Sequence, residues 1–535
     1  MAETVEQDHD DSKLEDFVAD ADTGGRMPRD AFGRNALWYI PLAWSLYQLW
    51  IASPLPFILG VGVWNDTQTR AIHLGFAVLL AFIAFPGTKR NFTDQNRKLV
   101  LSIALVALAA VYGLLYDSMF PDGPPEDGAT GFLGWVQKPF VVFGATFIGV
   151  VLLEIFSSVR NRIPPLTWIL AILAAVTASY LWWDYRGVAQ RTGSPNLDDL
   201  IVAGLGIVLL MEAARRSLGF PLMGVALFFL SYVFFGSWSG LPEVVQWKGA
   251  SFAKAMSHMW LTTEGVFGVA LGVSSGFVFL FVLFGALLNQ AGAGNYFLKL
   301  AFAALGHLRG GPAKAAVIAS AATGLISGSS IANVVTTGTF TIPLMKRVGF
   351  PATKAGAIEV SSSINGVLTP PVMGAVAFLM TEYVGISYVE VVKTAIVPAA
   401  ISYIALVYIV HLEALKMGMT GTSRMNPIKF ILGAIFIIAI SIVIAGGTLF
   451  LCGLIVDLME MVFGGASVWV IVFGMAVAYV AAVRFAAQGP DLEMSVESMQ
   501  HLPPTKEIFK TGIHYLMPIL LLMYLLMIER KSPGL

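Results

Sequence analysis

The stretch "ATGLISGSSIANVVTTGTFTIPLMKR", Ala322 to Arg347, sets hydroxyls, an amide and glycines into an otherwise strongly apolar chain. Ser327, Gly328, Ser329, Ser330, Asn333, Thr336 and Thr337 need partners, because an unsatisfied polar group costs several kcal/mol in lipid. Upstream lies "GHLRGGPAKAAVIASAATG" (Gly306–Gly324), and the polar SGSS arrives about a dozen residues after Pro312. At about 1.5 Å per residue, the run from there to SGSS rises about 18 Å, short of a hydrocarbon core of about 30 Å. The chain then runs back to Lys346 and Arg347, basic residues suited to the side it left. The expectation is a re-entrant hairpin over about 312–345 with its tip near mid-membrane. Non-helical backbone at that depth is tolerated only where it is buried in protein or lines a cavity.

The next segment repeats the device. "AGAIEVSSSINGVLTPPVMGAVAFLM" (Ala355–Met380) is an apolar span interrupted by Ser361, Ser362, Ser363, Asn365, Gly366, Thr369, Pro370 and Pro371. Tandem prolines remove two backbone donors and free the carbonyls before them, and Gly366 permits the backbone angles of an unwound turn. A discontinuous helix is expected over about 353–383. Carbonyl and hydroxyl oxygens suit a small hard cation such as Na⁺, and half-helix N-termini suit a carboxylate. Paired broken helices are the usual site of a secondary transporter. The plain alternative is small-residue packing between membrane helices.

The wider composition places these breaks in a membrane. The 535 residues are 56% hydrophobic and 13% charged, with a mean hydropathy of +0.74, against about 25% charged residues in soluble domains. Apolar segments occur at about 36–54, 70–86, 98–117, 138–157, 165–183, 197–214, 219–236 and 266–289, then 353–383, 388–412, 428–447, 467–484 and 512–528. The fold class is an all-α polytopic membrane protein. The single cysteine, Cys452, excludes an internal disulfide framework, the scattered histidines carry no metal-ligand spacing, and a net charge of −1 gives no sign of nucleic acid. The first 25 residues hold nine acids against one base and read as a solvated, disordered tail lacking a signal-peptide pattern.

Orientation follows from basic loop residues. Arg26, Arg29, Arg34, Lys89, Arg90, Arg97, Lys98, Arg160, Arg162, Arg215 and Arg216 fall on one side of the first spans; Arg70, Lys138, Arg186, Arg191, Lys248 and Lys254 fall on the other. The richer side places the N-terminus in the cytoplasm. The organisation is then a tail over 1–35, a small N-terminal bundle over 36–195, and a transport domain over 196–535. The loop "WWDYRGVAQRTGSPNLDD" (Trp182–Asp199) forms the boundary, and Ser239–Gly268 reads as an interfacial amphipathic helix.

Four ionisable residues fall within spans: Glu154, Glu212, Glu359 and Lys393. Glu212 precedes Arg215 and Arg216 at i+3 and i+4, which predicts a local ion pair. Glu359 is placed either to couple to the ion site or to pair with Lys393. Glu154 has no evident partner.

At "RAIHLGFAVLLAFIAFP" (Arg70–Pro86), "LMEAARRSLGFPLMGVALFFLSYVFFG" (Leu210–Gly236), "EGVFGVALGVSSGFVFLFVLFGALLNQAGAG" (Glu264–Gly294), "SGSSIANVVTTGTFTIPLMKRVGF" and "PPVMGAVAFLM", the chain resembles the tripartite ATP-independent periplasmic (TRAP) transporters. The likeness is to the TAXI branch, as a fused small and large permease subunit. It implies an elevator-type, inverted-repeat fold in the inner membrane. It also implies Na⁺ as coupling ion, no cofactor, and a TAXI-type periplasmic binding protein that delivers an anionic solute, dicarboxylate- or glutamate-like. In the resemblance, Ser327, Gly328, Ser330 and Asn333, with the carbonyls of Gly366, Leu368 and Thr369, hold Na⁺; Ser329, Thr336, Thr337, Ser362 and Asn365 face the substrate. "INGV" (Ile364–Val367) departs from the family's Thr-Gly-Gly-Gln-like run. No second SGSS-like or Pro-Pro-interrupted span occurs from Pro427 onward, since "HLPPTK" (His501–Lys506) lies in a polar loop. The second repeat is therefore expected to be incomplete, the chain being a fragment, a split gene product whose second polypeptide supplies the rest, or a truncated and inactive copy.

Two other readings compete. A truncated or split permease would act as a non-transporting assembly subunit. A serine intramembrane protease would use Ser327, but needs a base at membrane depth, and His307 and His411 lie near segment ends.

Overall fold

The computed structural model describes residues 25–87 (apart from Met27), 162–421, most of 447–489, and 505–527. The acidic tail, the segments at 98–117, 138–157 and 428–447, Glu154, and the prolines of His501–Lys506 lie outside these, save for Gly447. Every regular element among the described residues is helical, as the composition predicts. Three described helices are long and apolar enough to cross a bilayer: Asp66–Ala84, Val269–Gln290 and Tyr388–Lys416. Large apolar side chains such as Phe57, Phe228, Ile404 and Tyr383 are exposed. In a monomer, apolar exposure on that scale marks a surface meant for a non-aqueous environment.

The chain divides into two compact units, Met1–Gly276 and Phe277–Leu535. Contacts therefore change partners later in the chain than the composition boundary near 195. In the first unit, α1 is Ala31–Ala52, α2 Asp66–Ala84, α3 Pro165–Ala178, α4 Leu197–Leu218 and α5 Phe220–Phe235. Asn65 and Gln68 form a capping box at the start of α2, and Asn196 and Asp199 do the same for α4.

The Trp182–Asp199 loop is a braced corner. Arg191 bridges Asp184 at 2.7 Å and Asp199 at 3.0 Å, and the Tyr180 hydroxyl donates to Asp199 at 2.6 Å. Ser239–Gly268 is not the expected interfacial amphipathic helix. It breaks into a 3₁₀ turn at Glu243–Val245, a short helix at Phe252–Met256 and a π turn at Ser257–Leu261. Its Phe252, Met256, Trp260 and Phe267 belong to the unit's apolar core. Trp260, 1% exposed, donates its indole N–H to the Thr177 carbonyl on α3 at 3.3 Å. It lies over Gly206 of α4, where a Cβ would come within 2.2 Å of the indole. Large aromatics scattered among polar residues looked interfacial because periodicity cannot show a glycine slot two elements away.

The ion pair expected at Glu212 is present. Arg215 and Arg216 donate to its carboxylate through Nε at 2.8 and 2.7 Å, and Arg216 lies over the Phe82 ring at 4.4 Å. On α2, the buried His73 Nδ1 faces the Gln48 amide and accepts from the Trp44 indole, while Nε2 meets the Ser274 hydroxyl at 3.1 Å.

In the second unit, α6 is Phe279–Gln290, α7 Ala293–Leu305, α8 Gly311–Ser327, α9 Ser330–Arg347, α10 Ala352–Val367, α11 Ala375–Val384, α12 Tyr388–Lys416, α13 Ser467–Ala486 and α14 Ile513–Met527. The sequence reading missed α7, whose Lys299 and Asn295 interrupt the apolar run although Lys299 is buried. It also missed a bend of 65° between Thr505–Thr511 and Ile513–Leu525. The bend falls at Gly512, where a Cβ would come within 2.1 Å of the Tyr296 ring. A close approach to an aromatic ring produces this break, with no serine or proline signature at the bend itself.

Replacing Gly206 with leucine should displace Trp260 and lower stability by about 1–3 kcal/mol. Glu212→Ala, which strands buried Arg216, should cost about 3–5 kcal/mol. Both are read as shifts in the thermal unfolding midpoint of the purified protein in detergent.

Candidate functional site

The two interrupted segments become two pairs of short helices. In the first, α8 stops at Gly328, whose φ of 57° is left-handed, a conformation glycine adopts without a Cβ clash. Ser329 then caps α9, its hydroxyl accepting from the Ala332 N–H. The arms fold back on each other, so Ala313 and Ala316 near the start of α8 pack with Met345 near the end of α9. In the second pair, α10 stops at Val367 and α11 begins at Ala375, separated by a turn with a cis Pro370–Pro371 bond. That turn is closed by Met373 N–H to Thr369 O at 3.3 Å and Gly374 N–H to Val367 O at 2.8 Å.

The prolines do not leave all the carbonyls free. Tyr388, at the start of α12, donates its hydroxyl to Pro371 O at 2.5 Å and lies 3.2 Å from Val372 O. Its ring stacks on Phe378 at 4.6 Å. The Gly366 carbonyl accepts from Thr369 N–H at 3.1 Å.

Two glycine contacts bring the pairs together. A Cβ on Gly324 would come within 2.5 Å of Gly366 Cα, so α8 and α10 touch backbone to backbone. A Cβ on Gly328 would lie 2.2 Å from Met373 O, so the two breaks meet directly. The C-terminal ends of α8 and α10 thus stand beside the N-terminal starts of α9 and α11. Helix C-termini carry partial negative charge and N-termini partial positive charge.

The candidate residues fall into three groups. Ser327, Gly328, Ser329 and Ser330 form the tip; Ser329 is exposed, Ser327 and Ser330 half-buried, and the Ser327 hydroxyl is only in long contact (3.5 Å) with Ser329 O. Asn365 and Thr369 face α12, where Asn365 Oδ1 accepts from Ser402 at 2.8 Å and Thr369 contacts the Tyr403 hydroxyl at 3.2 Å. Leu368 beside them is 49% exposed.

Asn333, Thr337, Ser362 and Gly366 are buried. The Asn333 amide donates to Ser320 O at 3.0 Å and Ser320 Oγ at 2.9 Å, joining the two hairpin arms, while its Oδ1 is buried without a partner. Thr336 and Ser362 return their hydroxyls to Ala332 O and Ile358 O, each at 2.6 Å. Thr337 donates to Asn333 O at 2.7 Å and contacts Glu359 Oε1.

Glu359 does not pair with Lys393. Its carboxyl, 0% exposed, takes Thr337 and Thr341 as partners, the latter at 2.5 Å, and Lys393 is exposed. Hydroxyls one helical turn apart on α9 line the carboxyl more closely than a lysine 34 positions along the chain. Sequence reasoning passed over Ser320, Ser363 and Thr341. The spacings Thr337/Thr341 and Glu359/Ser363, both i,i+4, were the available signal.

Comparison with known proteins finds relatives over the residues that carry these pairs. Residues 205–449 match the family model "Tripartite ATP-independent periplasmic transporter, DctM component". The C4-dicarboxylate TRAP transporter large permease protein DctM of Pseudomonas aeruginosa is 27% identical over 173 residues, 31% of this chain and 39% of that protein. The DctM of Rhodobacter capsulatus is 39% identical over 101 residues, covering 18% and 23%. The isethionate TRAP transporter permease protein DctMQ of Oleidesulfovibrio alaskensis is 27% identical over 171 residues, covering 31% and 27%. The chain thus spans between about a quarter and two fifths of the length of these relatives. They are transport permeases and not enzymes, and both broken pairs lie within the matched residues. Over residues 205–449, a little under half of its length, the chain is thus similar to the large permease component of the TRAP transporters.

Proposed function

We propose that this chain is the inner-membrane permease component of a Na⁺-coupled importer. Its cargo is an anionic organic solute of the dicarboxylate or glutamate kind, delivered by a TAXI-type periplasmic binding protein. The observation that carries this reading is the meeting of two helix breaks at Gly328 and Met373. Where broken helices meet, paired C-terminal ends favour a cation and paired N-terminal starts favour an anion, side by side. The tip hydroxyls of Ser327 and Ser330, the buried Oδ1 of Asn333, and the carbonyls around Gly366, Leu368 and Thr369 are the oxygen donors for Na⁺. Ser329, Thr336, Thr337, Ser362 and Asn365 belong to the substrate side; Ser329 is the exposed one among them, whereas Thr337 and Ser362 act through packing behind the contact face. An anionic cargo agrees with the substrates in the names of the compared relatives, C4-dicarboxylate and isethionate.

The same proposal includes a small subunit fused N-terminal to the large one, with the first residues in the cytoplasm, and an elevator-like movement of the hairpin-bearing unit. The rival enzyme reading lacks support in the local geometry. The Ser327 hydroxyl contacts only Ser329 in the described hydrogen bonds, where a nucleophile would need a base.

Purified protein in proteoliposomes, supplied with the binding protein and a Na⁺ gradient, should accumulate solute, and Asn333→Ala should lower Na⁺-dependent uptake at least about tenfold, equivalent to about 1.4 kcal/mol. Unchanged uptake with normal insertion removes Asn333 from the site. Na⁺ but not K⁺ at equal ionic strength should also raise the unfolding midpoint, by about 2.7 kcal/mol of stability at a hundred times Kd. Equal stabilisation by both salts contradicts a Na⁺ site.

A further inference from the structure

Behind the helix breaks a buried chain of polar groups runs from Asn333 through Ser320, Ser363 and Glu359, the last three of which have no part in the proposed cation or solute contacts. Asn333 Nδ2 donates to Ser320 Oγ at 2.9 Å, and Ser320 Oγ lies 3.2 Å from Ser363 Oγ. Ser363 hydrogen-bonds to Glu359 one turn earlier on α10. Glu359 Oε1 contacts Thr337 Oγ1, and Thr337 Oγ1 lies 2.7 Å from the backbone carbonyl of Asn333 itself. The chain starts on the Asn333 side chain and ends on the Asn333 main chain. It draws one link from α8, two from α10 and two from α9. Asn333, Ser320, Thr337, Thr341, Glu359 and Ser363 are all buried.

Hydrogen accounting fixes the direction of this circuit. An amide nitrogen only donates, a carbonyl only accepts, and a hydroxyl carries one hydrogen. The Asn333 amide gives a hydrogen to Ser320, which passes its own to Ser363, and Ser363 gives its own to Glu359. At the far end, Thr337 has one hydrogen and two acceptors in reach: the Asn333 carbonyl and Glu359 Oε1. If Glu359 were ionised, one of those two oxygen–oxygen contacts would hold no hydrogen and would be repulsive. If Glu359 carries a proton on Oε1, it donates to Thr337, Thr337 donates to Asn333 O, and every link is made. Thr341 then supplies its hydrogen to Oε2 at 2.5 Å.

No cation replaces that proton among the described groups on the neighbouring helices. Lys314 of α8 bonds His411 of α12 at 3.0 Å, and Lys354 of α10 pairs with Glu413 of α12. Lys346 and Arg347 of α9 and Lys393 of α12 are exposed. Among the remaining ionisable groups, Tyr403 of α12 bonds Thr369, and Glu390 of α12 caps its own helix at Ser387.

The geometry points to Glu359 as a proton-binding site, occupied at neutral pH, whose proton closes a hydrogen-bond circuit clasping both hairpin arms to α10. Loss of the proton to bulk water breaks the circuit at Thr337. The single Thr337 hydrogen then turns to the carboxylate, which keeps α9 on α10, and the i−4 contact with the Asn333 carbonyl inside α9 is left without a hydrogen. Proton occupancy is thereby linked to the hydrogen bonding of the Asn333 main chain in α9. The inference goes beyond the transport reading and does not depend on it, because its test requires no uptake.

The test is infrared difference spectroscopy of the full chain in lipid nanodiscs at neutral pH, wild type against Glu359→Gln. The expected result is a protonated-carboxyl C=O band, shifted by D₂O, that the variant lacks. A difference spectrum showing only a carboxylate band lost would mean an ionised Glu359 and would overturn the proposal. Thr337→Val supplies an independent arm, which carries the test alone if Glu359→Gln does not assemble. Removing the acceptor of the acid proton should move the protonated band to higher frequency. A band absent from that difference spectrum, or unmoved by the substitution, overturns the circuit.

Discussion

Two glycines touching across a helix pair hold the second unit in its arrangement. Gly324 on α8 and Gly366 on α10 leave no room for a Cβ, so the two backbones meet without side chains between them. Small residues at such crossings are how membrane helices gain packing where apolar burial supplies no driving force. Once α8 and α10 are locked at this point, their C-terminal ends are neighbours, and the breaks at Gly328 and Met373 fall together. Every other polar contact near the breaks is spaced from that crossing. Asn333 reaches Ser320 one turn before Gly324, and Gly366 lies beneath the Asn333 amide.

Buried polarity in this unit is resolved by hydroxyls in preference to charge pairs. Glu212 in the first unit has two arginines and a cation–π contact behind them. Glu359 has threonines and a serine. The difference follows from position. Arg215 and Arg216 close α4, whereas Glu359 stands between α9 and α10 with no room for a guanidinium. Gly338 packs on it, its missing Cβ position 3.2 Å from Glu359 Cγ. A short hydroxyl at i,i+4 spacing is what such a gap accepts.

The aromatic clasp at Tyr388 works on the same principle from the other side. A helix interrupted by two prolines owes its backbone acceptors a donor, and a tyrosine hydroxyl from the next helix supplies one while its ring stacks on Phe378. The break is thereby a fixed turn with a defined partner.

Several features were legible in the amino-acid sequence alone. Hydropathy gave an all-helical membrane chain, because about 20 apolar residues have few other uses. SGSS and Pro-Pro marked both breaks, because glycine and proline change the backbone itself. The i,i+3 and i,i+4 spacing at Glu212 disclosed its ion pair, since those positions share a helix face whatever the fold. Tertiary structure alone decided the rest. Trp260 turned inward because Gly206 on another helix makes a slot for it, and no pattern within Ser239–Gly268 could announce that. The bend at Gly512 comes from the ring of Tyr296, more than two hundred residues earlier. Glu359 chose Thr337 and Thr341 over Lys393 because α9, not α12, covers its carboxyl. Local backbone chemistry is written in local sequence, whereas the partner of a buried side chain depends on which helix arrives beside it.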